Sequence, residues 1–180
     1  MQRENAEIQW SDESGISSSC QVGTTYAPKG KTPVVKQAGR RFAVSMISTV
    51  TNQGALRFMV YEGGLNIDIF LRFLRRLIQR QKRKVFLILD NLRVHHSKPV
   101  KAWLEENKEK IECFYLPSYS PELNPEERLN SDLKQTIGSK VPVRTKEKLR
   151  AAAHDHMTML ENNPTRVASF FQDPYVKYAA

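Results

Sequence analysis

A single α/β domain built on a mixed five-stranded sheet is the fold class this sequence predicts, and three observations predict it. Three strand-like segments precede any long helical period, an apolar run ending in an acid follows the first helix, and a strand, helix, strand unit comes next. Such a unit implies a parallel pair, whereas the opening segments suit an antiparallel arrangement. The 180 residues, 40% of them hydrophobic, are enough for one core rather than two.

Ala6-Glu-Ile-Gln-Trp-Ser-Asp12 alternates apolar and polar residues before a Ser/Gly-rich break, so it reads as a strand ending at Asp12. Thr24 to Pro33 holds two prolines and a glycine among lysines and reads as a loop, with room for a short strand at Val22 to Tyr26. Phe42 to Val50 and Ala55 to Tyr61, joined by Thr51-Asn-Gln-Gly54, form a hairpin.

Asn66 is placed to cap a helix running to about Arg80, in which Ile67, Phe70, Leu71, Leu74, Leu77 and Ile78 recur at helical spacing. At 100° per residue these side chains fall within roughly 120°, and Arg72, Arg75 and Arg76 project from the other side. Seven Lys and Arg residues lie between Arg72 and Lys84 without an intervening acid. That basic back reads either as a solvated face or as a row of phosphate contacts.

Val85-Phe-Leu-Ile-Leu-Asp90 is too short for a helix and reads as a strand buried on both faces at the sheet centre. Ser97 with Pro99 opens a helix to about Lys110, and Ile111 to Tyr115 resumes as a strand. Leu116 to Pro125, with three prolines, is a constrained loop, followed by a helix from Glu126 to about Ile137 that Gly138 ends. Thr145 to Glu161 supports another helix and Arg166 to Phe171 a short one. This order of elements is that of a ribonuclease-H-like fold, a mixed five-stranded sheet flanked by helices.

Lys and Arg number 28 against 19 Asp and Glu, for a net charge of +9 and a pI near 9.7, which favours a polyanionic partner such as nucleic acid. Cys20 and Cys113 lack the spacing of a zinc site and suggest no disulfide framework. No run approaches about 18 apolar residues, and the charged opening residues do not form a secretory signal. A cytoplasmic protein without a membrane partner is expected.

The chemistry rests on acids at element ends. Phosphodiester cleavage needs charge stabilised on attacking and leaving oxygens, which two divalent ions provide, and hard carboxylate oxygens suit Mg²⁺ or Mn²⁺. Asp12, Asp90 and Glu127 meet that need if the first strand neighbours the apolar one and the later helix crosses their ends. Glu13, Glu122 and Glu126 remain rivals, because each adjoins a favoured acid. Adjacent helical residues differ by about 100°, so only one of Glu126 and Glu127 faces the site squarely and the other is expected to be solvent exposed. His95 follows Asp90 by five positions and reads as a DNA contact or as a residue that orients Asp90. Lys134 is a candidate phosphate contact and Asn91 a hydrogen-bonding neighbour of the acids. His154 and His156, two positions apart on a helix, point to different faces and make a poor metal pair.

Asp12-Glu-Ser-Gly15, Tyr26-Ala-Pro-Lys-Gly30, Asp90-Asn with His95, and Leu116-Pro-Ser-Tyr-Ser-Pro-Glu-Leu-Asn-Pro-Glu-Glu127 together resemble bacterial insertion-sequence transposases of the mariner-related group in the DDE superfamily. The resemblance covers nearly the whole chain in consistent order. It implies a ribonuclease-H-like catalytic domain in which Asp12, Asp90 and Glu127 bind two Mg²⁺ ions. It also implies cleavage at transposon ends, attack of the freed 3′-hydroxyl on target DNA, and a nucleoid-associated protein acting as a homodimer on DNA. The choice of Glu127 over Glu126 rests on that motif.

Two positions depart from the family pattern. Glu126 stands where an apolar residue is usual, and Leu129-Asn130 where an apolar-Trp pair is common, which predicts a less firmly packed helix. The family's end-binding helix-turn-helix has no counterpart before Asp12, so the chain reads as a catalytic domain alone. A non-catalytic DNA-binding remnant and a ribonuclease acting on RNA in hybrids are the alternatives.

Overall fold

The computed structural model describes residues 6–18, 28–31, 41–79, 81–117, 120–139 and 145–180. Its elements in chain order are β1 (Ala6–Ser17), β2 (Ala43–Val50), β3 (Leu56–Tyr61), α1 (Ile67–Gln79), β4 (Lys84–Leu89), α2 (Lys98–Glu106), β5 (Ile111–Tyr115), α3 (Glu126–Ser139), α4 (Lys146–Glu161) and α5 (Pro164–Ser169). The sheet order is β3-β2-β1-β4-β5. β1, β2 and β3 pair antiparallel, whereas β1 with β4 and β4 with β5 pair parallel, which is the mixed five-stranded sheet the element order predicts. The Val22 to Tyr26 segment lies outside the described residues, and within Thr24 to Pro33 the described part is a turn closed by Lys31 N–H on the Pro28 carbonyl at 2.9 Å.

Apolar alternation sends two sets of side chains to opposite faces. Trp10, Ile16, Val44, Met46 and Val50 pack beneath α3, α4 and α5, where Leu133, Met157 and Val167 are buried. Ile47, Val85, Leu87 and Leu89 pack under α1 and α2, against Phe70, Leu74 and Val100. Asn66 caps α1 as expected, its Oδ1 accepting the Ile69 N–H at 2.9 Å. Ile69 and Phe73 are buried together with the predicted α1 stripe, while Ile67 and Ile78 lie at its margin. Arg72, Arg75 and Arg76 are exposed.

Two expectations need correction. β1 does not end at Asp12 but continues to Ser17, because Glu13 through Ser17 stay in register with Ile47 through Ala43 of β2. The β2 ladder and the burial of Ser14 and Ile16 override the weak strand preference of the Ser/Gly segment. β1, not β4, is the central strand, and β4 is fully buried only on the face of Val85, Leu87 and Leu89. On its other face Phe86 and Ile88 are only partly covered, because the α3–α5 layer packs on the β1–β2 side.

The β2–β3 turn is fixed by a close approach. Gly54 has φ +88°, and a Cβ there would meet the Pro164 carbonyl oxygen at 2.1 Å, so the start of α5 is seated on a glycine that admits no side chain. No helix among the described residues is long and apolar enough to cross a membrane.

Candidate active site: three carboxylates at a split between parallel strands

β1 and β4 pair from Ala6 with Lys84 to Trp10 with Ile88, and there the pairing ends. Carried two residues further, the same register sets Asp12 opposite Asp90. β1 turns wholly to its antiparallel partner beyond this point, with Asp12 opposite Ser48, and a cleft opens at the carboxyl ends of the parallel strands. In open α/β sheets this is where ligands bind.

The cleft has a volume of about 360 Å³, and Asp12, Asp90 and Glu127 line it together with Asn91, Ser120 and Asn124. Burial raises the pKa of Asp12 from 3.8 to about 7, and the charges of Glu127 and then Asp90 add to the rise. Asp12 thus feels the charge of both other carboxylates, and no described cation forms an ion pair with it. As they stand, no three His, Cys, Asp or Glu side chains among the described residues are gathered tightly enough to hold one ion between them.

Each acid is held from behind. The Asp12 Oδ1 accepts the N–H of Glu13 at 2.8 Å, and its Oδ2 accepts the Asn130 amide at 2.9 Å. Asp90 is gripped by His95, whose Nδ1 donates to the Asp90 carbonyl at 3.1 Å and lies 3.3 Å from its carboxylate. The His95 ring rests on Phe70 of α1 at 4.6 Å and is 3% exposed. Burial lowers its pKa and favours the neutral ring. A side chain so enclosed does not reach DNA, so of the two expectations for His95 its place allows the orienting one.

Glu127 is aimed by the loop before it. Asn124 donates to the Ser11 carbonyl at 3.2 Å and accepts the Glu126 N–H at 3.1 Å, fixing the start of α3 over β1. Leu116 N–H bonds the Leu89 carbonyl at 2.8 Å, extending the sheet to the loop mouth. Tyr115 stacks on His96 at 4.3 Å, and Tyr119 lies outside the described residues.

The rivals separate, but the acid turned away from the cleft is not solvent exposed as helical spacing predicts, because Ser48 and the sheet beneath cover it. Glu126 is fully buried beneath the cleft, its Oε2 accepting the Ser48 hydroxyl at 3.0 Å, and burial first, then Asp12, pushes its pKa well above the usual carboxylate range. Glu127, one position on, is exposed to the cleft. Glu13 alternates to the opposite face of β1, where burial and Asp90 raise its pKa. Glu122 is exposed on the turn Pro121–Leu123 and is not among the cleft's lining residues. Lys134 is exposed on α3, seven positions after Glu127, hence on the same stripe about 10 Å along, and outside the cleft. His154 is exposed while His156 is buried against Asp132 at 2.9 Å.

The predicted loosening of α3 is not what the structure shows. Leu129 and Leu133 are fully buried, and the two departures, Glu126 and Asn130, are buried and hydrogen-bonded to Ser48 and Asp12. Ser48, Asn124 and Asn130 are the site neighbours that sequence reasoning missed. For Asn130 a signal existed, since a polar residue four positions after Glu126 shares its buried face.

Fold and site together define a ribonuclease-H-like domain with a carboxylate cleft at the ends of its parallel strands. The model of the DDE superfamily endonuclease family matches residues 7–150, and the chain belongs to that family. It is 39% identical over 71 residues to an uncharacterized 39 kDa protein of insertion element IS630 from Shigella sonnei, spanning 38% of this chain and 20% of that protein. It is 31% identical over 120 residues to the Tc1 transposable-element transposase of Caenorhabditis elegans, spanning 65% of this chain and 43% of the transposase. The chain therefore covers less than half the length of either relative. The Mos1 strand transfer complex matches over 96% of this chain and 54% of that chain with a TM-score of 0.67 at 16% identity. The Mos1 mariner paired-end complex with Mn matches over 97% and 56%, with a TM-score of 0.65 at 14% identity.

Proposed function

We propose that this chain is the catalytic domain of a transposase that cleaves phosphodiester bonds at transposon ends and joins the freed 3′ end to target DNA. The observation that carries this reading is the split between β1 and β4, which sets Asp12 and Asp90 at equivalent register positions, with Glu127 facing the same cleft.

Asp12, Asp90 and Glu127 are the residues that hold divalent ions, Mg²⁺ or Mn²⁺, and the donor set fits them. All three offer hard oxygen, and a cation would offset the burial and the neighbouring charges of Glu127 and Asp90 that together raise the pKa of Asp12 to about 7. Mg²⁺ takes one or two carboxylates and completes its shell with water and phosphate oxygens, so the three acids need not converge on one point to hold such ions. Such ions, when bound, stabilise charge on the attacking and leaving oxygens of an in-line displacement. Mos1 complexes solved with Mn and with Mg support this use of metals.

The chain's own part is positional. Glu13 N–H and Asn130 orient Asp12, His95 holds Asp90, and the Asn124 bonds set the angle from which Glu127 enters. Arg72, Arg75 and Arg76 on the exposed side of α1, with Lys134 on α3, supply phosphate contacts that carry no sequence information. The Mos1 paired-end complex with the left transposon end supports DNA as the partner, and a homodimer on DNA in the bacterial nucleoid completes the reading. Glu126 and Asn130, two of the positions that motivate the alternative reading of a non-catalytic remnant, are packed and bonded, which supports an intact site.

The test is nicking of a supercoiled plasmid carrying the transposon ends, in Mn²⁺. Nicking that EDTA stops and Asp90→Asn reduces to background is expected, and nicking undiminished by Asp90→Asn would overturn the assignment.

A further inference from the structure

We propose that Asn130 is a positioning residue for Asp12: its amide fixes the plane of the carboxylate while leaving the carboxylate's charge available to a cation in the cleft. This rests on the reading of the cleft as a metal site.

The geometry is specific. Asn130 Nδ2 donates to Asp12 Oδ2 at 2.9 Å, and Glu13 N–H holds Oδ1 at 2.8 Å, so both oxygens are tied and the group does not rotate freely. Asn130 is 2% exposed, which keeps water from replacing it. It stands one turn after Glu126 and three residues after Glu127. One helix therefore both carries Glu127 to the cleft and braces Asp12, and the Asn130 bond ties the placement of the two acids together alongside the Asn124 bond to Ser11 of β1.

The chemistry of the donor matters. A lysine or arginine here would neutralise Asp12 and repel a divalent ion, whereas an apolar side chain would leave a largely buried oxygen without a partner. A neutral amide avoids both. Its Oδ1 is itself buried without a hydrogen-bond partner, so only the donor end is used, and burial of the unused end works against folding. Outer partners that orient a metal-binding carboxylate are commonly worth about 10- to 100-fold in metal affinity.

The experiment is calorimetric titration of Mn²⁺ into the full chain, comparing wild type with Asp12→Asn, Asn130→Leu and Leu133→Ala, with urea unfolding of each. Leu133 is fully buried on the same helix in the apolar cluster beneath it and carries no polar group, so Leu133→Ala loosens α3 without removing the amide. The expected result is Mn²⁺ affinity about 10- to 100-fold weaker in Asn130→Leu and unchanged in Leu133→Ala, even where the latter is the less stable protein. Nicking by Asn130→Leu should recover as Mn²⁺ is raised, which a merely structural role would not produce. Unchanged affinity in Asn130→Leu, or equal weakening in Leu133→Ala, would overturn the role of Asn130 and leave the metal reading standing. Wild-type Mn²⁺ binding that Asp12→Asn does not weaken would instead overturn the metal reading, and this proposal with it.

Discussion

Ser48 on β2 donates its hydroxyl to Oε2 of Glu126 at 3.0 Å, which bolts the first turn of α3 to the sheet one position before Glu127. The bond is buried, and the other carboxyl oxygen has no partner. Removing one partner of such a pair leaves the other desolvated, at about 1–3 kcal/mol, while replacing both by apolar groups of similar shape is nearly neutral. Ser48→Ala should therefore lower the urea unfolding free energy by about 1–3 kcal/mol, and Ser48→Ala with Glu126→Leu should recover most of it. A double variant as unstable as the sum of the singles would show that the bond is not what Glu126 is held by.

Asp12 makes stability depend on pH with a definite sign. Its pKa is raised from 3.8 to about 7, first by burial and then by Glu127, so the folded chain binds that proton more tightly than the unfolded one. Its stabilising contribution is present below about pH 4 and is lost as pH rises to about 7. The loss is roughly 4 kcal/mol without a divalent ion. Unfolding in EDTA across that window should show wild type losing stability relative to Asp12→Asn as pH rises, and parallel curves would contradict the shift.

Gly54 tolerates no side chain for two separate reasons. Its φ of +88° strains any L residue, and a Cβ would strike backbone of Pro164, which has no freedom to rotate away. Gly54→Ala should cost at least about 2 kcal/mol in thermal or urea unfolding. A change within a few tenths of wild type would mean the β2–β3 turn and the start of α5 separate easily.

Arg72, Arg75 and Arg76 should contribute affinity for DNA that depends on salt and not on sequence. Replacing all three by Gln should reduce the slope of log K against log salt by about 2 to 3, at roughly 0.9 per phosphate contact on duplex DNA. An unchanged slope would show that the α1 back is a solvated face.

Much of this arrangement was legible in the residues. Alternation placed the β2–β3 hairpin within one residue of its ends, helical spacing placed α1 and α4, and the strand, helix, strand unit put β4 parallel to β5. The adjacency of β1 and β4 was a condition of the three-acid site that no segment of the sequence shows by itself. The extension of β1 was not legible, because Ser14-Gly15-Ile16 has little strand preference of its own and is held by pairing with β2. Asp12 looked like the end of a strand when it sits in the middle of one, at the point where the other neighbour departs. The choice between Glu126 and Glu127 was not available from spacing either. In the structure Glu126 is buried against Ser48, a residue 78 positions away, while Glu127 lines the cleft. Asn130 was visible only as a departure from an apolar pattern, and its meaning depended on a contact across 118 positions.

The most direct measurement of the central claim is anomalous scattering from crystals of the chain soaked in Mn²⁺. Manganese peaks are expected in the cleft, within bonding distance of Asp12, Asp90 and Glu127 oxygens, and are expected to vanish in Asp90→Asn. Peaks confined to other acids, or a cleft without manganese at saturating concentration, would contradict the claim.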